Sequence, residues 1–204
     1  MEKINVRLWR KEDFDKKYQE ECENGIEKWG IKADNQDFKN IVIKWLSDNN
    51  LLNKKIIDFA CGKAHYATWF CKLGCKYHGL DISPTAVQIA KDNLKNYSSA
   101  VIFELNIVDD VNVINEKYDA AFDAYGFYLL QKDDRRKYLK NAYACLRNGA
   151  PMLFIGLDFL ENGDSSEAYK TEIETAGFNV EKIDEYIYES FDRIFYVRKP
   201  LNAD

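Results

Sequence analysis

From Lys55 onward the chain alternates short, β-branched or apolar runs with stretches of helical periodicity, and no other feature constrains its fold as tightly. Ile56-Ile57-Asp58-Phe59-Ala60 reads as a strand, followed after a glycine by a helical pattern from His65 to Lys72. Tyr77 to Leu80 is the next strand. Ser83 and Pro84 then look like the N-cap and first residue of a helix that buries Ala86, Val87, Ala90 and Leu94. Residues 101–105 and 118–125 are further strands. Asp133 and Asp134 open a helix with Leu139, Ala142, Tyr143 and Leu146 spaced for burial, and Gly149 suits its end. Residues 150–157 form a fifth strand, and a helix from Ser165 to Ala176 closes at Gly177. The last two runs, 178–188 and 191–199, leave no room for a helix between them and read as an antiparallel hairpin. The expected fold is α/β: a Rossmann-like, seven-stranded, mostly parallel sheet with an antiparallel C-terminal hairpin and helices on both faces.

Upstream of Lys55 the texture is helical. Phe38, Ile41, Val42, Trp45 and Leu46 follow the i, i+3, i+4, i+7, i+8 spacing of one buried helix face. An earlier helix around Phe14 to Cys22 stops near Asn24-Gly25. The length of 204 residues suits one domain, read as a helical N-terminal cap over 1–50 and a Rossmann-like core over 51–204.

Composition narrows the function. The net charge of −5 argues against nucleic acid as a partner, because phosphate binding rests on clustered Lys and Arg. The longest apolar run, Ala150 to Leu157, is too short to span a bilayer, so no membrane association is expected. The N-terminal residues are mixed in charge and lack a signal peptide's apolar core, so a cytoplasmic location is expected, with the 5 cysteines reduced and mostly buried. Cys71 and Cys75 lack the close pairs and neighbouring histidines of a zinc site, and no metal is assigned. Monomer and homodimer both stay open.

In an open α/β sheet, ligands bind beyond the carboxyl ends of the strands. Asp58-Phe59-Ala60-Cys61-Gly62-Lys63-Ala64 falls there, and its small residues let the backbone turn tightly and approach a ligand. Asp58 at the end of an apolar strand needs a partner; capping its own turn is the competing explanation. Asp81 ends the next strand, nineteen residues after Gly62, where an acid can accept both hydroxyls of a ribose. Together these features favour a nucleoside-bearing ligand. A nicotinamide dinucleotide fits less well: the G-x-G-x-x-G pattern is incomplete, and Asp58 would crowd a pyrophosphate.

DFACGKAHYATWF resembles motif I of class I S-adenosylmethionine-dependent methyltransferases, and GLDIS resembles their ribose-binding strand end. The order of elements over roughly residues 36–199 is similar to small-molecule enzymes of the thiopurine and tellurite-resistance type. The resemblance implies S-adenosylmethionine as cofactor, with Asp58 and Gly62 at its methionine part and Ala60, Cys61 and Ile82 also among the cofactor-binding residues. It further implies Asp81 at the ribose, Asn106 and Ile107 at adenine, and Asp123 at the methionine end near the substrate. An ordinary turn role for Asn106 is an equal alternative, and Ala64 stands where the family has its third glycine.

The implied reaction is methyl transfer to an oxygen, nitrogen or sulfur atom of a small-molecule acceptor, which requires alignment and exclusion of water above all. Secondary metabolites and surface-glycan decorations bearing phosphoryl groups are candidate acceptors by analogy. Candidate catalytic residues are Asp123, Tyr125, Tyr128 and His65. The two tyrosines read as walls and hydrogen-bond donors, or as plain core aromatics. His65 faces the cofactor or acceptor, or else caps a helix, while His78 reads as core. Tyr18, Asn24, Trp29 and Gly30 mark a segment that either covers the cofactor as a lid or packs without ligand contact. Arg193 is a candidate for an anionic acceptor, and Arg198 reads as solvated. The alternatives are a protein that binds S-adenosylmethionine without turnover and, less favoured, an NAD(P)-dependent oxidoreductase.

Overall fold

A computed structural model describes residues 10–25, 35–157, 165–187 and 191–202. The described residues divide into two compact units, one over Arg10–Ile107 and one from Val108 onward.

The first unit holds helix α1 (Lys11–Asn24), helix α2 (Gln36–Asp48), strand β1 (Lys55–Phe59), helix α3 (Ala67–Lys72), strand β2 (Lys76–Asp81), helix α4 (Pro84–Asn93) and strand β3 (Ala100–Glu104). The three strands pair in parallel, with Asp58 opposite Gly79 and Asp81 opposite Glu104. Buried apolar runs in β1 and β2 agree with strands covered on both faces. α2 starts where the Asn35 side chain accepts the Phe38 N–H at 2.9 Å, and it buries Phe38, Val42, Trp45 and Leu46 as the spacing requires. Phe38 packs against the rings of Tyr66 and Trp69, fastening α2 to the start of α3. Each such fully buried aromatic contributes about 2 kcal/mol or more through the area it removes from water. Ser83 caps α4 by accepting the Ala86 N–H at 3.1 Å, and Pro84 occupies the first turn, as read from sequence. α1 ends at Gly25, whose φ of 62° provides the left-handed turn that stops a helix there.

The second unit holds strand β4 (Ala120–Ala124), helix α5 (Lys132–Cys145), strand β5 (Pro151–Leu157), helix α6 (Ser166–Thr175), strand β6 (Asn179–Ile187) and strand β7 (Phe191–Arg198). β4 and β5 are parallel, β5 and β7 antiparallel, and β6 pairs antiparallel with β7 through an irregularity between Val180 and Lys182. The hairpin expected from sequence is present, and its second strand is the one that joins β5. Counted across all seven strands, the mixed, mostly parallel sheet has the order β3-β2-β1-β4-β5-β7-β6.

Three local expectations need correction. α5 ends at Cys145 because Leu146 is already extended (ψ 144°), so Gly149, with φ 79°, shapes the following turn rather than the helix end. The N-cap of α3 is Tyr66, not His65. Arg198 is not simply solvated: it donates two hydrogen bonds to Glu181, at 2.5 and 3.1 Å, and one to the Gly149 carbonyl at 3.0 Å. Trp29 and Gly30 lie outside the described residues.

Candidate functional site

In the first unit the turn after β1 is built from alternating left-handed residues: Ala60 (φ 55°), Gly62 (54°) and Ala64 (58°). Two of the three are alanines, each in a conformation that an L-residue adopts at a cost of about 1–2 kcal/mol. The sequence predicted a tight turn from the small residues; the structure adds that side chains no larger than methyl are held in strain there. The hydrogen bond from Cys61 N–H to the Leu80 carbonyl, 2.8 Å, ties the turn to the end of β2. The Cys61 side chain fits because Gly79 is a glycine: a Cβ there would stand 2.7 Å from the Cys61 sulfur.

Asp81, 5% exposed, sits at the end of β2. One oxygen accepts the Gly62 N–H at 2.8 Å and the other the Ser83 N–H at 2.9 Å, so this carboxylate joins the two strand ends. Burial pushes its pKa up to about 6, against the pull of those backbone donors. Asp58 is buried at the end of β1, and its partner is the Tyr77 hydroxyl, which donates at 2.5 Å. Tyr77 was not picked out from sequence, although it lies two residues before Gly79 on the same strand and therefore on the same face. Asn106 and Ile107 follow β3, the first half-buried and the second buried. Ile82 is half-buried between Asp81 and Ser83, and His65 is half-buried ahead of α3. His78 is buried in β2 against the edge of Phe103, the core role expected of it.

α1 contributes residues that periodicity alone did not mark. Asp15 accepts the Ser83 hydroxyl at 2.6 Å and the Thr85 N–H at 2.9 Å. Burial would raise its pKa, but these hydrogen bonds outweigh burial and hold it below the usual value. Tyr18 lies over Gly62, where an added Cβ would meet its hydroxyl at 2.6 Å. Glu21 and Lys63 form a buried ion pair at 2.8 Å.

In the second unit Asp123, the penultimate residue of β4, is fully buried and is likewise pushed by burial up to about 6. Its carboxylate accepts the N–H groups of Gly126 (2.9 Å) and Phe127 (3.2 Å) and the Tyr138 hydroxyl (2.7 Å). The residue therefore closes the turn in which it sits. Tyr125 adopts φ 72° and donates its hydroxyl to buried Asp192 at 3.0 Å, with its ring edge-on to Tyr128 at 6.0 Å. Burial, with Asp192 nearby, pushes the Tyr128 hydroxyl well above its usual pKa, so it serves as a donor and not as a base. Phe127, Tyr128, Phe154, Tyr169 and Phe195 line a small apolar cleft to which Arg193 supplies a cation, paired with Glu185 at 2.8 Å. A bidentate pair missed by sequence reasoning, Arg135 with Glu172 at 2.7 and 2.9 Å, joins α5 to α6 beside the Tyr169 ring. Among the described residues no group of three His, Cys, Asp or Glu is placed to hold a metal ion, and no helix is long and apolar enough to cross a membrane.

Residues 56–149 match the family model described as a methyltransferase domain. Among curated proteins, the ribosomal protein L11 methyltransferase of Photobacterium profundum is 43% identical over 54 residues, which is 26% of this chain. The match spans only 18% of that relative's own length. Among solved structures, magnesium protoporphyrin IX methyltransferase from Synechocystis PCC 6803 with bound SAM has a TM-score of 0.74 at 14% identity, covering 96% of this chain and 100% of that one. A structure from work on the conversion of a disulfide bond into a thioacetal group during echinomycin biosynthesis has a TM-score of 0.78 at 20% identity, covering 95% and 94%. The fold is thus shared with solved methyltransferase structures, and the segment that matches the methyltransferase domain carries the turn, Asp58, Asp81 and Asp123.

Proposed function

We propose that this protein is an S-adenosylmethionine-dependent methyltransferase with a small-molecule acceptor, methylated at oxygen, nitrogen or sulfur. The observation that carries the reading is the methyltransferase match over residues 56–149, which begins in β1 and contains the strained turn and both acids at the strand ends. Those residues suit the cofactor. Small side chains at 60, 62 and 64 leave the backbone approachable, and the two Asp81 oxygens have lone-pair capacity for hydroxyl donors beyond their bonds to Gly62 and Ser83.

When bound, the cofactor supplies an electrophilic methyl group on sulfur. What falls to the chain is positioning. Asp58 and the backbone of Ala60, Cys61 and Gly62 hold the methionine part, Asp81 and Ile82 the ribose, and Asn106 and Ile107 the adenine. Asp123 is better read as a positioning residue than as a base, since its oxygens serve its own turn. Tyr125 and Tyr128 act as walls and donors, and Arg193 favours an acceptor with an anionic group, which includes the phosphoryl-bearing metabolites considered above. A proton carried by the acceptor leaves to solvent or to His65, the candidate base because imidazole is the side chain suited to proton transfer near neutrality. Methylation of a protein, as the name of the Photobacterium relative indicates for that enzyme, does not transfer at 18% of its length.

We further read residues 1–204 as one methyltransferase domain with a helical cap over the first fifty. A cytoplasmic location accords with 5 cysteines that are all free thiols, 4 of them buried. Calorimetric titration with S-adenosylhomocysteine, with NAD and NADP as controls, tests the reading. Saturable binding of the homocysteine nucleoside alone is expected. Binding of a nicotinamide cofactor in its place overturns the proposal, and tight nucleoside binding without methylated product from any small acceptor favours a binding-only protein.

A further inference from the structure

Tyr77 stands opposite Ile56 in the sheet, and Asp58 stands opposite Gly79, two residues further along both strands. The tyrosine side chain therefore runs along the sheet face over about 6.6 Å, the length of two residues in a parallel strand. There its hydroxyl meets the Asp58 carboxylate. Gly79 adds no side chain on this face, where a Cβ would stand 2.7 Å from the Cys61 sulfur and 2.9 Å from Ile102 Cδ1. Phe70 of α3 stacks on the Tyr77 ring, with centroids 5.8 Å apart and 28° between the planes. Tyr77 is fully buried and Asp58 nearly so, and packing holds the hydroxyl in one place.

Packing alone does not call for a hydroxyl here. Phenylalanine would fill nearly the same volume and keep the contact with Phe70, without carrying a polar group into a buried place. What the hydroxyl adds is one proton, donated to Asp58 at 2.5 Å. Burial, with Asp58 beside it, pushes the Tyr77 hydroxyl well above its usual pKa, so it stays a donor. Burial likewise pushes the adjacent Cys61 thiol well up, so that neighbour is neutral. A buried donor that fixes one oxygen of a carboxylate sets the orientation of the whole group.

A carboxylate oriented in advance is suited to receive a cation. The amino-acid part of S-adenosylmethionine carries an ammonium, and S-adenosylhomocysteine keeps it although its sulfur is neutral. We propose that Tyr77 is a positioning residue for the methionine part of the cofactor and acts through Asp58. This rests on the methyltransferase reading above. The hydroxyl sets the carboxylate before the ligand arrives, and Asp58 then favours nucleosides that bear an ammonium over those that lack one. Tyr77 itself touches no part of the ligand.

The test titrates wild type and Tyr77→Phe calorimetrically with two ligands, S-adenosylhomocysteine and methylthioadenosine. The second shares the nucleoside and the sulfur but lacks the amino-acid part. Tyr77→Phe is expected to weaken S-adenosylhomocysteine about tenfold, the worth of one hydrogen bond to a charged group, and methylthioadenosine by less than about twofold. In an Asp58→Asn background the same substitution is expected to weaken S-adenosylhomocysteine by less than about twofold, because its effect passes through the acid. Equal losses for both ligands make Tyr77 a structural residue, and a tenfold loss that persists beside Asp58→Asn separates it from the acid. Either overturns the proposal, as does no loss at all. Should Tyr77→Phe not fold, nuclear magnetic resonance of wild type with isotope-labelled tyrosine decides. The Tyr77 Cζ signal is expected to move on saturation with S-adenosylhomocysteine and to hold still with methylthioadenosine; equal movement or none overturns the proposal. Wild-type protein that binds neither ligand overturns the methyltransferase reading itself, and the role of Tyr77 falls with it.

Discussion

Asp81 and Asp123 invite comparison. Each lies within the last two residues of a parallel strand, one in each unit, each is almost wholly buried, and burial lifts both to about 6. They differ in where their hydrogen bonds go. Asp81 binds Ser83 beside it and Gly62 nineteen residues earlier, at the end of a different strand. Asp123 spends its bonds on Gly126 and Phe127, three and four residues ahead, and on Tyr138. Two acids with the same environment thus divide the labour: one ties the turn after β1 to the end of β2, and the other finishes a local turn.

The comparison breaks or holds on substitution. Asp123→Ala leaves three buried donors without an acceptor and is expected to cost about 3 kcal/mol of stability in urea denaturation. In the protein that remains folded, affinity for S-adenosylhomocysteine should stay near wild type. Asp81→Ala should do the reverse in proportion, weakening that affinity about 100-fold, equivalent to about 2.7 kcal/mol. Equal effects of both variants on stability and on affinity would erase the distinction drawn above.

A subtler handle is pH. A carboxyl whose folded pKa lies near 6, above its unfolded value of about 3.9, binds its proton more tightly in the folded state. Its contribution to stability is therefore fully present below the unfolded pKa and is lost as pH rises through the folded one. Between pH 4.5 and 7 the loss is about 2 kcal/mol for each such group. Asp123→Asn abolishes that titration, so its stability deficit relative to wild type should be smaller at pH 7 than at pH 4.5 in parallel urea titrations. A deficit that grows with pH would show that the donors around Asp123, and not burial, set its pKa.

The smallest expected effect concerns the turn that Asp81 supports. Ala60→Gly removes a left-handed alanine and should stabilise the fold by up to about 1 kcal/mol, read as a higher urea midpoint. Destabilisation instead would mean that the methyl group packs well enough to offset the strain.

Much of this architecture was legible in the sequence because it rests on local rules. Alternating apolar runs gave all seven strands, Ser83-Pro84 marked the start of α4, and small residues between two acids marked the turn. What was hidden depends on pairs distant in sequence. The Asp15–Ser83 contact spans 68 residues and Lys11–Glu104 spans 93, so no window along the chain contains both partners. Asp58 visibly required a partner, yet only strand register identifies it as Tyr77. Asp123 was read through the family resemblance as a ligand residue, because its neighbours Gly126 and Phe127 carry no side-chain signal of the bonds their N–H groups make. Arg198 shows the same blindness: Glu181 faces it only because the hairpin folds back.

The strand order also bears on how the polypeptide matures during synthesis. β7 leaves the ribosome after both β5 and β6, yet it lies between them. Until it arrives, β5 exposes a row of unpaired backbone groups that will accept β7, and β6 has no neighbour at all. A nascent chain at that stage offers open strand edges to any other nascent chain nearby. Slow translation of the codons for β7, or truncation before Phe191, would therefore raise aggregation far more than the loss of one strand's packing suggests.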